Sequence, residues 1–104
     1  MKVEDLLEMS ESELYQLIGK SLPVMRDDIS PENKGRNWFR LNKAHFIKIV
    51  CPNYLKFKSM KKAEAIVEIA AAIGDTFLGV PAVFIATIIV NLTLDAFCQI
   101  QSDQ

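Results

Sequence analysis

The stretch Phe77-Leu-Gly-Val-Pro-Ala-Val-Phe-Ile-Ala-Thr-Ile-Ile-Val-Asn-Leu-Thr-Leu94 decides how this chain folds. It runs for 18 residues without a charged side chain. A helix that is apolar on every side is one that neighbouring elements cover on every side. We therefore expect a central helix here, hidden from water either in protein or in lipid.

Charge is divided unevenly around this stretch. Residues 33–63 carry nine Lys or Arg and no acid, whereas residues 64–104 carry five acids and no Lys or Arg. The formal net charge of −1 hides this partition, so the overall charge is a poor guide to partners. A partner would instead meet the basic middle third of the chain.

Helix signals punctuate the rest of the chain. Ser10 and Glu13 have the spacing of a capping box, Ser30-Pro31 is typical of a helix start, and Pro52 ends a helix. No segment alternates apolar and polar residues as a half-buried strand does, so we predict no strands. The sequence predicts an all-α single domain over residues 1–104, a small four-helix bundle with helices at about 11–19, 31–51, 60–74 and 80–98.

Two of these predicted helices are amphipathic. The second has an apolar stripe that we assign to the core: Trp38, Phe39, Leu41, Phe46, Ile49 and Val50. The third has a narrow polar stripe of Glu64, Glu68, Ala72 and Asp75, and its remaining apolar residues are Ile66, Val67, Ile69, Ala70 and Ile73. We expect the third helix to be mostly buried, with one wet edge.

The last predicted helix supplies the candidate buried residues. These are Val83, Phe84, Ile88, Asn91 and Leu92. Thr87 and Asn91 lie four residues apart, which predicts a polar pair that hydrogen-bonds inside the bundle or fixes helix register.

Eight cations of the middle third form the candidate interaction surface. They are Arg36, Arg40, Lys43, Lys48, Lys56, Lys58, Lys61 and Lys62. Aromatic residues interleave with them, a pattern also found in single-stranded nucleic-acid grooves and at anionic membrane surfaces. The simpler interpretation is that the cations neutralise acidic segments of this chain or of a second copy.

The residues that usually carry chemistry are sparse. Cys51 and Cys98 are too few and too far apart for a disulfide framework, so we expect reduced, structural cysteines, with a bridge between them as the alternative. His45 is the single histidine, and its place at the edge of an apolar stripe predicts a packing role. We predict no enzyme activity, no catalytic residue, no cofactor and no metal site.

The carboxyl-terminal third resembles a known group. Gly79-Val-Pro-Ala-Val-Phe-Ile-Ala-Thr-Ile-Ile-Val90 followed by Leu94-Asp-Ala-Phe-Cys98 is similar to the ending of short uncharacterised bacterial helical proteins. The amino-terminal half of that group has elements similar to Glu13-Leu14-Tyr15 and Cys51-Pro52. The resemblance implies a cytoplasmic bacterial protein and carries over no activity or functional residue.

These observations favour a protein that works by association. We predict an adaptor-type or accessory module that binds a protein partner through its helices, forms a homo-oligomer and resides in the cytoplasm. The alternative is a membrane-anchored or membrane-disrupting protein at the inner membrane, with residues 77–94 inserted and the cations on anionic lipid. A third hypothesis is an accessory factor for single-stranded nucleic acid, which the low overall pI of about 5.8 disfavours.

Overall fold

A computed structural model describes residues 2–23 and 29–98, and this part of the chain is mostly helical. The elements in order are α1 (Val3–Leu7), α2 (Glu11–Ser21), α3 (Pro31–Val50), a 3₁₀ turn (Cys51–Asn53), α4 (Tyr54–Lys58), α5 (Lys62–Ile73), β1 (Thr76–Phe77), β2 (Val80–Pro81), α6 (Ala82–Asn91) and α7 (Leu94–Phe97). The all-α class is confirmed in this broad sense. The four-helix layout is not reproduced, because α1 and α4 were not predicted and the last predicted helix is divided.

The starts of α2 and α3 follow the local signals. The Ser10 hydroxyl accepts from the Glu13 amide at 3.1 Å and the Glu13 carboxylate accepts from the Ser10 amide at 3.0 Å, so the predicted capping box is confirmed. The Ser30 hydroxyl likewise accepts from the Asn33 amide at 3.2 Å, with Pro31 in the first turn. These caps fix where α2 and α3 begin.

Helices α2 and α3 touch backbone to backbone at two glycines. A β-carbon on Gly19 would collide with the backbone of Pro31, and one on Gly35 would collide with the carbonyl oxygen of Tyr15. The contact is reciprocal, because one glycine of each helix lies against the backbone of the other helix. Gly19 lies inside α2, which continues to Ser21, two residues beyond the predicted end at 19.

The core is built around α6. Ile85, Ala86, Thr87, Ile88 and Ile89 are all fully buried, and α6 packs against α1, α2 and α5. Burying one such aliphatic side chain contributes about 1.5–3 kcal/mol relative to leaving it in water. The prediction of a buried apolar helix near the carboxyl end is confirmed for this segment.

The predicted helix at 80–98 is wrong at both ends. At its start, β1 and β2 pair antiparallel around a two-residue turn in which Leu78 and Gly79 have φ values of 52° and 86°. Two positive φ values are typical of a type I′ hairpin turn, and Leu-Gly is not one of its usual sequences, so this strand pair was missed. At the other end, Thr93 takes a φ of 71°, which stops α6 and separates it from α7.

The division of the apolar stretch shortens its helix. Helix α6 has 10 residues, or about 15 Å at 1.5 Å per residue, against the roughly 20 residues that a membrane span needs. Across residues 2–23 and 29–98, no helix combines the length and hydropathy of a membrane-crossing segment.

Helix α5 is more exposed than its sequence suggests. The predicted polar stripe of Glu64, Glu68, Ala72 and Asp75 is exposed throughout, as expected. However, only Ala65, Ile66 and Ile69 of this helix are buried. Val67, which was assigned to the buried side, is 50% exposed. Gly74, with a φ of 107°, ends the helix as predicted.

The two cysteines are joined, contrary to expectation. Cys51 follows α3 and Cys98 follows α7, and the fold brings their Cα atoms to 5.7 Å, so that a disulfide links positions 47 residues apart. The expectation of reduced cysteines rested on the separation in sequence, which the packing of α7 beside α4 and α3 overcomes. The alternative of a bridge is the one that the structure contains.

Candidate interaction surface

The eight predicted cations are spread over three helices. Arg36, Arg40, Lys43 and Lys48 lie on α3, Lys56 and Lys58 on α4, and Lys61 and Lys62 at the start of α5. All are exposed except Lys43, which is half-buried. These cations are not equivalent, because some form ion pairs with nearby carboxylates and others do not.

Arg36 is engaged within the fold. Its guanidinium lies 2.9 Å from the Glu32 carboxylate and 3.9 Å from that of Glu11, and it covers the ring of Tyr15 at 4.6 Å. Hydrogen bonds from Ser12 and Arg36 hold the pKa of Glu32 below its ordinary value. Arg36 therefore ties α3 to α2 and is a poor candidate for binding a partner.

Lys58 is engaged in a second cluster. Its ammonium lies 3.0 Å from the Asp95 carboxylate, which also accepts a hydrogen bond from the Tyr54 hydroxyl at 2.8 Å. These two contacts hold the pKa of Asp95 below its ordinary value, and the carboxylate raises the pKa of Lys58. The cluster joins α4 to α7.

Among the cations of α3, Arg40 and Lys43 share a groove. Neither makes an ion pair with any residue of the described ranges. Arg40 donates to the Asn37 side chain at 3.2 Å, and the Lys43 ammonium lies 5.9 Å from the centre of the Phe97 ring. Together with Arg36, they line a groove of about 410 Å³, the basic groove, whose other lining residues are Tyr15, Asn37, Phe39 and Leu92.

Tyr15, which lines the basic groove, keeps its proton at neutral pH. Burial, reinforced by the nearby Glu11 carboxylate, raises the pKa of Tyr15 to about 12. The groove therefore offers two unengaged cations and a phenol that stays protonated at neutral pH.

A second groove, the apolar groove, lies on the other side of Asn37. It measures about 500 Å³ and is lined by Leu22, Pro23, Ile29, Lys34, Asn37, Trp38, Leu41 and Leu78. Leu41 and Leu78 are 79% and 67% exposed. Because Asn37 lines both grooves, they are adjacent, and we call Lys34, Asn37, Arg40 and Leu41 the α3 face.

Sequence reasoning misplaced Leu41 and missed Leu78. Leu41 was assigned to the core stripe, but it follows the buried Phe39 by two positions, and residues two apart on a helix point in different directions. The period alone could therefore have excluded it from the core. Leu78 gave no such signal, because its exposure depends on the unpredicted turn between β1 and β2.

A third surface, the α5 face, has the opposite charge. Met60, Ala63, Glu64, Val67 and Glu68 line a shallow groove of about 330 Å³. Neither Glu64 nor Glu68 makes an ion pair with a residue that the structure describes. The α5 face therefore combines two unengaged carboxylates with a half-exposed valine.

The predicted buried-helix residues are only partly buried. Ile88 is fully buried, and Val83, Phe84 and Leu92 are half-buried. Asn91 is exposed at the end of α6, so the predicted pair with Thr87 was wrong. Thr87 instead donates to the carbonyl oxygen of Val83 at 2.7 Å, which satisfies its hydroxyl within its own helix.

His45 lies beside an aromatic ring. Its imidazole is 4.7 Å from the centre of the Phe77 ring, and the residue as a whole is exposed. Within residues 2–23 and 29–98, no group of three His, Cys, Asp or Glu side chains could hold a metal ion.

Comparison with protein-family models, with curated proteins and with solved structures finds no match to this chain.

Proposed function

We propose that this protein is a non-catalytic association module of the adaptor type, and that the α3 face with its apolar groove binds a partner protein. The observation that carries the proposal is the pair of exposed leucines, Leu41 and Leu78, on a groove that also contains Trp38. Large exposed apolar side chains that gather around one groove are typical of interaction sites.

The exposed leucines and the neighbouring Arg40 both contribute to such binding. Covering Leu41 and Leu78 would each supply about 1.5–3 kcal/mol of favourable transfer, before the cost of association. The adjacent Arg40 would orient an acidic partner and speed its encounter, since complementary charge acts mainly on specificity and association rate. A groove with an aromatic floor and a basic rim supports recognition of an acidic, apolar protein segment.

Purification of the tagged protein from its native cells tests this function. The wild type is predicted to retain a protein partner that Leu41→Asp no longer retains. Leu55→Asp is the matched control, because Leu55 is 72% exposed on α4 and lines neither groove. Retention of the same proteins by wild type and Leu41→Asp would contradict the proposal.

The predicted alternatives give different results with the same cations. A single-stranded nucleic acid would bind with a steep loss of affinity as salt rises, because each neutralised phosphate releases counterions. Anionic vesicles would bind with a similar salt dependence. Binding of either one that Arg40→Glu abolishes and Leu41→Asp leaves intact would replace the protein partner by that ligand.

A further inference from the structure

We infer that the partner of the α3 face is a second copy of this chain, docked through its α5 face. This inference rests on the proposed function and adds the identity of the occupant. In this contact Val67 of one copy lies at the apolar groove of the other, and Glu64 and Glu68 face the adjacent basic groove, which Arg40 and Lys43 line.

The two surfaces are complementary in charge. Arg40 and Lys43 on α3 make no ion pair with the described residues, and the same holds for Glu64 and Glu68 on α5. Other charged side chains of the fold, such as Arg36 and Lys58, are already paired with carboxylates. Other lysines of the fold also make no ion pair with the described residues, but Arg40 and Lys43 line one groove and Glu64 and Glu68 line another. These two grooves therefore carry unpaired charges of opposite sign.

The two surfaces also match in apolar character. Helix α5 presents Val67, 50% exposed, one turn from Glu64 and beside Glu68. Helices that bind in grooves present apolar side chains at helical spacing, and Ala63 and Val67 on α5, four residues apart and next to Met60, have that spacing. Leu41 and Leu78, at 79% and 67% exposure, are the groove residues that such a helix would cover.

Charge reversal on purified protein tests the inference. One variant carries Arg40→Glu and Lys43→Glu, and the other carries Glu64→Lys and Glu68→Lys. Each places like charges across the contact, and we expect each alone to raise the dissociation constant for self-association by about 100-fold or more. Mixed in equal amounts, the two variants present opposite charges at both contacts of a pair and are predicted to associate again.

The control reverses two cations elsewhere. Lys48→Glu with Lys56→Glu changes the net charge by the same amount as the Arg40 and Lys43 variant. Both residues are exposed and line neither groove, so this control should associate like the wild type. Sedimentation velocity from micromolar to millimolar concentration measures all four samples and the mixture. Far-ultraviolet circular dichroism confirms that each variant is folded.

Three results would overturn the inference. They are a wild type that stays monomeric at every concentration, variants that associate like the wild type, and a mixture that fails to recover association. If the wild type is monomeric while the native partner is still lost in Leu41→Asp, the second copy is excluded and the proposed function stands. If self-association responds to charge reversal, but the tagged protein retains no other protein in a Leu41-dependent way, the α3 face joins copies of this chain and does not serve an adaptor.

Discussion

Gly35 shows how a single residue sets the distance between two helices. Alanine is a better helix former than glycine by about 1 kcal/mol, so an exposed helix would be stabilised by the change. At Gly35 the new β-carbon would meet the Tyr15 carbonyl oxygen, which belongs to the backbone of α2 and has little freedom to move.

We therefore predict that Gly35→Ala destabilises the protein by about 1–3 kcal/mol, the usual cost of overpacking. Urea denaturation measures the change. Ala44→Gly in the exposed part of α3 is the control for helix propensity and should cost no more than about 1 kcal/mol. A stabilised Gly35→Ala variant would contradict the backbone contact.

Leu78 occupies a backbone conformation that suits other residues better. Its φ of 52° lies in the left-handed region, which costs a non-glycine residue about 1–2 kcal/mol, and asparagine tolerates this region better than leucine. Asn-Gly is also a favoured sequence for the turn between β1 and β2.

Leu78→Asn is accordingly predicted to raise the free energy of unfolding by about 1 kcal/mol while weakening association through the apolar groove. Denaturant unfolding and sedimentation together check both effects. Leu55→Asn removes an equally exposed leucine from α4, where no such strain exists, and should not stabilise the protein. A less stable Leu78→Asn would show that the side chain contributes more to folding than its exposure suggests.

Tyr15 gives a titration that reports on the α2–α3 contact. A pKa of about 12 in the folded state lies above the ordinary value of 10.0, so this tyrosine stabilises the fold fully below pH 10. That contribution is lost as the pH rises toward 12. We expect the stability of the wild type to fall across this window and that of Tyr15→Phe to fall less, as alkaline urea titrations would show.

At the scale of elements, α7 is a short helix held by side chains and a covalent bond. A helix of 4 residues has no stability of its own, so its position depends on the burial of Leu94 and Phe97, on Tyr54 and Lys58, and on the disulfide. Asp95 is the acceptor that Tyr54 and Lys58 share.

Asp95→Asn is predicted to loosen α7 without unfolding the rest of the chain. The lowered pKa of Asp95 means that its contribution is present above the ordinary carboxyl range and is lost as the pH falls through the lowered value. Hydrogen exchange at Phe97 and Cys98 should be faster in the variant at neutral pH. Glu68→Gln, a change of the same kind at a carboxylate that has no ion pair within residues 2–23 and 29–98, is predicted to leave those amides unaffected.

The elements also show what the sequence could and could not predict. Capping by Ser10 and Ser30 depends on residues three positions apart, so α2 and α3 were located to within two residues. The break at Thr93 and the turn at Leu78 depend on tertiary packing, because neither residue favours a positive φ by itself. For the same reason the apolar groove, which needs Leu78, was not predicted, whereas the cations of the basic groove were.

At the scale of the whole molecule, the disulfide is the feature that the expected cytoplasmic location does not explain. Cytosolic thiols are normally kept reduced, whereas this bond closes a loop between residues 47 positions apart. In the chain-entropy model, a loop of this size stabilises the folded state by about 4 kcal/mol.

Reduction is predicted to lower the free energy of unfolding by up to about 4 kcal/mol, measured by urea denaturation with and without a dithiol. The double variant Cys51→Ala with Cys98→Ala should be insensitive to the reductant. Alkylation of the native protein under denaturing conditions should label neither cysteine. Full labelling would show that the thiols are free in the cell.

The disulfide also determines which backbone cuts by a protease release a separate peptide. A cut between residues 52 and 97 would leave two peptides still attached through Cys51 and Cys98, whereas a cut before Cys51 would free the amino-terminal piece at once. On a gel without reductant, only the second kind of cleavage would produce a smaller band. The packing of α1 and α2 onto α6, and of most of α3 onto α2, thus depends on noncovalent contacts alone, while the disulfide closes the segments that follow into a ring.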